Sequence, residues 1–178
     1  MPGNHASYGT PAPVALRTEG PVPSPPPGWN SWDELMRLAL AEARLAEAEG
    51  EVPIGAVVVS REGRIIGRGH NTPVTDHDPT AHAEVMALRA AATTTGNYRL
   101  DGAVLVVTLE PCMMCAGAMV HSRVAGVVYG AADARAGAVT SCLDGLDQPF
   151  HNHKVWHMGG VQSQACTDIL LEFFRTRR

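Results

Sequence analysis

Apolar residues spaced three and four apart first appear at Leu35, Leu38, Ala39, Leu45 and Ala46, the stripe of an amphipathic helix. Ser31 and Glu34 stand ahead of it as in a capping box, and Gly50 suits its end, so the pattern predicts a helix over 32–49. The period then changes. Ile54 to Val59 is apolar at consecutive positions, as in a strand covered on both faces, and after Arg61-Glu62-Gly63 the run Ile65 to Gly69 continues as its hairpin partner. Residues 71–79 are rich in turn formers, and Thr80 is placed to cap a second helix over 81–93 with His82 and Glu84 in its first turn. Val104 to Val107 is another buried strand, which runs through Pro111 into a third helix carrying Cys112 and Cys115. Val124 to Tyr129 is a fourth strand, 131–153 has no period and reads as a long functional loop with room for a short helix, and Val155 to Met158 is a fifth strand. A last helix over 162–176 is expected to bury Ala165, Ile169 and Phe173. Strands alternating with helices predict a three-layer α/β/α domain.

Composition changes this picture at the front of the chain. Most of the 13 prolines fall in residues 1–29, with few large apolar side chains, so this segment is expected to be a disordered extension preceding a domain over 30–178. It has neither the apolar core of a signal peptide nor the pattern of a transit peptide, and no run is long enough to cross a bilayer. A cytoplasmic protein without membrane contact is therefore expected, with Cys142 and Cys166 as reduced thiols. A net charge of −4 argues against coating nucleic acid by charge alone, while leaving room for a local basic patch.

The chemistry concentrates at His82-Ala83-Glu84 and Pro111-Cys112-Met113-Met114-Cys115. One His and two Cys can take three positions around a tetrahedral zinc and leave the fourth for water, which is the arrangement of a catalytic site. Cys112 and Cys115 are three apart at a helix start, so both sulfurs face one side, where the helix terminus favours thiolates. Glu84 lies beside the metal without being needed as a ligand. It is the candidate to take a proton from water, pass it to a ring nitrogen and help protonate departing ammonia. A Cys-x-x-Cys alone is equally compatible with redox chemistry, and the His-x-Glu upstream is what favours hydrolysis. A purely structural zinc in an RNA-binding protein would need a fourth protein ligand, for which His121 and Asp133 are the available donors.

Asp78-Pro79-Thr80-Ala81-His82-Ala83-Glu84, Asn97-Tyr98-Arg99-Leu100 and Thr108-Leu109-Glu110-Pro111-Cys112-Met113-Met114-Cys115-Ala116-Gly117-Ala118-Met119 together resemble the bacterial tRNA adenosine deaminases, the TadA family of the cytidine deaminase-like superfamily. The likeness covers residues 31–178 and fails at the proline-rich front. It implies a five-stranded mixed sheet between helix layers, one zinc per subunit and a homodimer. It also implies conversion of the wobble adenosine to inosine in the anticodon loop of an arginine tRNA. Carried over by motif, Ile54, Asn71, His82 and Ala83 would line the base pocket, and Asp133 and Phe174 would meet the RNA loop. Read without the resemblance, Ile54 is core, Asn71 a turn residue and Phe174 helix packing. A deaminase of free guanine or cytosine on the same fold is the rival reading, since the zinc motif alone does not separate the two.

Overall fold

The computed structural model describes residues 23–177. Helix α1 (Trp32–Ala48) is followed by β1 (Gly55–Val59), β2 (Ile65–His70), α2 (Ala83–Thr95), β3 (Val104–Leu109), α3 (Met113–Ser122), β4 (Gly126–Ala131), β5 (Trp156–Met158) and α4 (Ser163–Arg175). The strands form one sheet in the order β2-β1-β3-β4-β5. β1 is antiparallel to β2 and β3, while β3, β4 and β5 are parallel, so the sheet is mixed.

β1, β3 and β4 are apolar at nearly every position because both faces are covered, whereas β2 exposes Arg68. Ala56, Val58, Leu105, Val107, Val127 and Tyr129 point into a core with α2 and α3. Their neighbours Val57, Val59, Val104, Val106 and Val128 point into a second core with Trp32, Leu35, Met36 and Ala39 of α1 and Cys166 of α4. The period of two along each strand thus sorts one run into two cores, and the domain has the three layers expected.

Strand directions decide where the chemistry lies. β2 and β3 both run against β1, so their carboxyl ends share one end of the sheet, together with that of β4. The chain leaves β2 there to begin α2, leaves β3 to begin α3, and leaves β4 to begin the long loop. Two helix N-termini and one loop therefore converge at a single edge.

Close approach of α2 to β2 depends on glycine. A Cβ on Gly69 would stand 2.4 Å from the Ala87 nitrogen and 2.6 Å from the Ala83 oxygen, and one on Gly67 would meet Ala87 and Ala91. Alanines at 83, 87 and 91 complete the seam. Gly69→Ala is therefore expected to destabilise the domain by about 1–3 kcal/mol through overpacking. Urea denaturation measures this, and an unchanged midpoint would show that α2 can move aside freely.

Several details differ from expectation. Ser31 is the N-cap residue of α1 but makes no side-chain cap bond; Glu34 instead accepts from the backbone and side-chain nitrogens of Asn30 at 3.1 and 3.0 Å. Leu45 lies outside the buried stripe. Thr80 does not cap α2, because its hydroxyl donates to Asp78 and the N-cap position belongs to His82. The inward face of α4 is Cys166, Leu170 and Phe173, with Ala165 exposed. The apolar run Ile169-Leu170-Leu171 fits either phase, and packing on β4 selects the one with Leu170 inward.

The proline-rich front of the chain is described only in part. Residues 1–22 lie outside the described residues, but 23–29 lie against the domain: Trp32 Nε1 donates to the Pro23 carbonyl at 2.9 Å, and Trp29 Nε1 to that of Gly63 at 2.8 Å. The Pro27 carbonyl occupies the place a Cβ on Gly63 would need, a position with φ of 85°. Cys142 and Cys166 are free thiols, and among the described residues no helix is long and apolar enough to cross a membrane.

Candidate metal centre and active site

His82 and Cys112 are the N-cap residues of α2 and α3, both in extended backbone conformation, and neither uses its side chain for capping. Their side chains are left to meet across the edge of the sheet. His82 Nδ1 lies 3.7 Å from Cys112 Sγ and 3.7 Å from Cys115 Sγ, and the two sulfurs are 3.7 Å apart. Zn–S bonds of about 2.3 Å at tetrahedral angles would set sulfurs roughly 3.8 Å apart, so the donors stand at the spacing zinc requires. No other His, Cys, Asp or Glu joins this group among the described residues. His121 is exposed in the last turn of α3, and Asp133 Oδ1 accepts from the backbone nitrogens of Arg135 and Ala136. The fourth ligand that a structural zinc would need is therefore not supplied by either donor.

The cluster is electrostatically coupled. Cys112 is held down to about 4, chiefly by its hydrogen bond with Cys115 and, against the penalty of burial, by His82. Cys115 is pushed far up by the same hydrogen bond and by burial, and the hydrogen bond with Cys112 raises His82. Glu84, in the first turn of α2, is buried with 4 % of its surface exposed. Burial raises its carboxyl above the usual range, opposed by a hydrogen bond from its own backbone N–H; the carboxylate also reaches the Cys115 thiol. It thus stands beside the three donors without being one of them.

The next residues out are joined by backbone pairing. Gly55 pairs with His70, and one step beyond, Asn71 N donates to the Ile54 carbonyl at 3.1 Å. Asn71 is buried, and its Oδ1 accepts from Ala83 N at 2.9 Å. These bonds bring Ile54, Asn71 and Ala83 together next to His82. The Asn71 oxygen holds the start of α2, and its Nδ2 makes no hydrogen bond among the described residues. The Ala83 N–H is engaged in the same way.

Asp133 lies at the start of the long loop, its backbone nitrogen 3.0 Å from Glu110 Oε2. Phe174 is exposed and meets the ring of Phe173, which is buried. Its described contacts do not reach the metal donors. Glu110 itself went unremarked in the sequence except as part of a motif. Burial opposes its charge, yet hydrogen bonds from Ser141, Thr140 and Asp133 outweigh this and hold the carboxyl below its usual range. Buried Glu51, also unforeseen, accepts from Thr75 N at 2.7 Å and braces the loop before α2.

Residues 30–131 match the cytidine and deoxycytidylate deaminase zinc-binding region. The tRNA-specific adenosine deaminase of Haemophilus influenzae is 47 % identical over 146 residues, covering 82 % of this chain and 84 % of that protein. The chain belongs to the tRNA-specific adenosine deaminase family. Among solved structures, a tRNA:A34 deaminase studied for A-to-I editing at the wobble position is 44 % identical to this family member. It covers 77 % of this chain and 99 % of its own, with a TM-score of 0.74. A guanine deaminase from Nitrosomonas europaea is 26 % identical over 79 % of this deaminase and 83 % of its own chain, with a TM-score of 0.66.

Proposed function

We propose that this protein hydrolyses the wobble adenosine of a tRNA anticodon loop to inosine, as a cytoplasmic homodimer with one zinc held by His82, Cys112 and Cys115 of each subunit. The observation that carries the reading is the group of three donors, rather than four, with the Glu84 carboxylate beside it. Zinc at that point supplies electrophilic activation of water near neutral pH. Glu84 accepts the proton that the attacking water loses, delivers it to the adjoining ring nitrogen, and then assists protonation of the leaving amine. The C6–N bond breaks, a C6–O bond forms, and ammonia departs. Ile54 would lie against a face of the base and Asn71 Nδ2 would donate to its edge, with Ala83 forming the floor.

A base inside a duplex cannot reach a buried centre, whereas an anticodon loop already presents unstacked bases. Asp133 and Phe174 are the proposed RNA contacts beyond the base. Among the terminal arginines, Arg175 is the better candidate for a phosphate, since its only described ion pair, to Glu172, spans 3.9 Å. Arg177 is committed to Phe173 and Gly50, and Arg178 lies outside the described residues. Apolar Met113 and Leu143 are exposed beside Gly145, and a second copy of the chain is the partner proposed to cover them.

The protein, incubated with anticodon stem-loops and analysed for inosine, is expected to convert the adenosine-34 loop of an arginine tRNA in preference to other loops. Free adenine, guanine and cytosine are expected to turn over far more slowly. Equal or faster turnover of a free nucleobase would replace this reading with a small-molecule deaminase.

A further inference from the structure

Residues 132–155 form the longest stretch without regular secondary structure among the described residues, and the first part of it is organised around one carboxylate. Glu110 Oε1 accepts from the backbone nitrogens of Val139, Thr140 and Ser141 at 3.2, 2.7 and 2.9 Å. Oε2 accepts from Asp133 N at 3.0 Å and from the Ser141 hydroxyl. The Thr140 hydroxyl stands 3.4 Å from Oε1 and 2.8 Å from the Tyr129 hydroxyl. Gly137 passes so close that an added Cβ would lie 2.5 Å from Oε2. No Lys, Arg or His forms an ion pair with Glu110 among the described residues, so the charge is balanced by loop N–H and O–H donors alone.

The position of this carboxylate in the chain matters as much as its bonds. It lies between the last residue of β3 and Cys112, and the adjoining Pro111 carbonyl accepts from Ala138 N at 2.8 Å. The turn that sets the Cys112 sulfur is thus the same turn that anchors the loop. Ala138, Val139 and Leu146 also seat the loop in the core, but backbone between 133 and 141 released from the carboxylate would have to be ordered each time a substrate bound, and that ordering opposes affinity.

We infer that Glu110 is a positioning residue for substrate recognition: its hydrogen bonds to residues 133–141 hold that segment as a preformed wall beside the Cys112 turn, with Asp133 at its edge. The inference rests on the proposed RNA deamination for its substrate, but its structural half does not. It assigns Glu110 no contact with substrate and no proton transfer. What it contributes is a fixed surface for the RNA loop to meet, so its loss should act on KM more than on kcat.

E110Q in the full, zinc-loaded chain tests this, because an amide presents a donor to loop donors. KM for the stem-loop is expected to rise about 10–100-fold, with kcat within about threefold and zinc retained. Trypsin should cut faster after Arg135, which is exposed inside the segment. Because E110Q could fail to fold, S141A is measured beside it; it removes one hydroxyl donor and should shift KM and cleavage in the same direction by a smaller factor. Unchanged KM and unchanged cleavage at Arg135 in the folded variants would overturn the inference. So would a loss confined to kcat and zinc content, which would make Glu110 a support for Cys112 alone. Cleavage at Arg135 needs no substrate, so it judges the loop even if the parent protein leaves the stem-loop unreacted, a result that would count against the proposed reaction instead.

Discussion

Glu84→Gln is expected to lower kcat on the anticodon stem-loop by about 10²–10⁴-fold while zinc and fold are retained. The amide keeps the volume of a side chain that is only 4 % exposed, so no cavity is opened. It cannot take up the proton that water must lose, and the effect should therefore fall on the chemical step. A carboxylate in the first turn of α2 also interacts favourably with the helix N-terminus. That role alone would cost about 0.3–1 kcal/mol of stability and leave the rate nearly untouched. Single-turnover deamination, metal analysis and a thermal melt on the same preparation separate the two roles. Turnover at the parent rate would require a different group to carry the proton.

Cys112→Ser is expected to lose zinc and bring deamination to background, and Cys115→Ser to do the same. His82, Cys112 and Cys115 come from two helices that follow β2 and β3, the strands on either side of β1, so metal joins α2 to α3 at one end of the sheet. Binding to the native state alone stabilises it by about 4 kcal/mol when zinc is a thousandfold above its Kd. For a domain of this size that is about 8–16 °C in Tm, the fall expected on chelation or in either variant. Metal content by elemental analysis and calorimetric melting of parent, chelated and variant proteins provide the check. Full zinc retention after loss of both cysteines would overturn the ligand assignment.

The parts of the molecule that were legible in the sequence are those whose signals are local. β1, β3 and β4 are short, mostly apolar runs with three, four and two β-branched residues, the composition of strands buried on both faces. The metal donors were legible because His82 with Glu84, and Cys112 with Cys115, each fall within one turn of a helix start. Long-range roles were not legible. Glu110 is one acidic residue in a motif until residues 23 to 31 positions later fold back onto it, and that stretch carries no period. Asn71 gave no sign that it holds Ala83, because an Asx residue after a strand suits any turn. In α4 the consecutive apolar residues fit two phases, and the expected one with Ala165 and Ile169 inward gives way to Cys166 and Leu170 when the helix packs on β4. The glycines of β2 likewise gave no sign in the sequence that they let α2 lie close.

Arg177 lays its guanidinium over the Phe173 ring at 3.9 Å and donates to the Gly50 carbonyl at 2.5 Å, so the last turn of the chain grips the residues that follow α1. The carboxyl end is thereby a fastening and not a loose thread. Truncation at Thr176, or a rigid linker that begins before Arg177, would undo it and uncover both an aromatic face and a helix-end carbonyl.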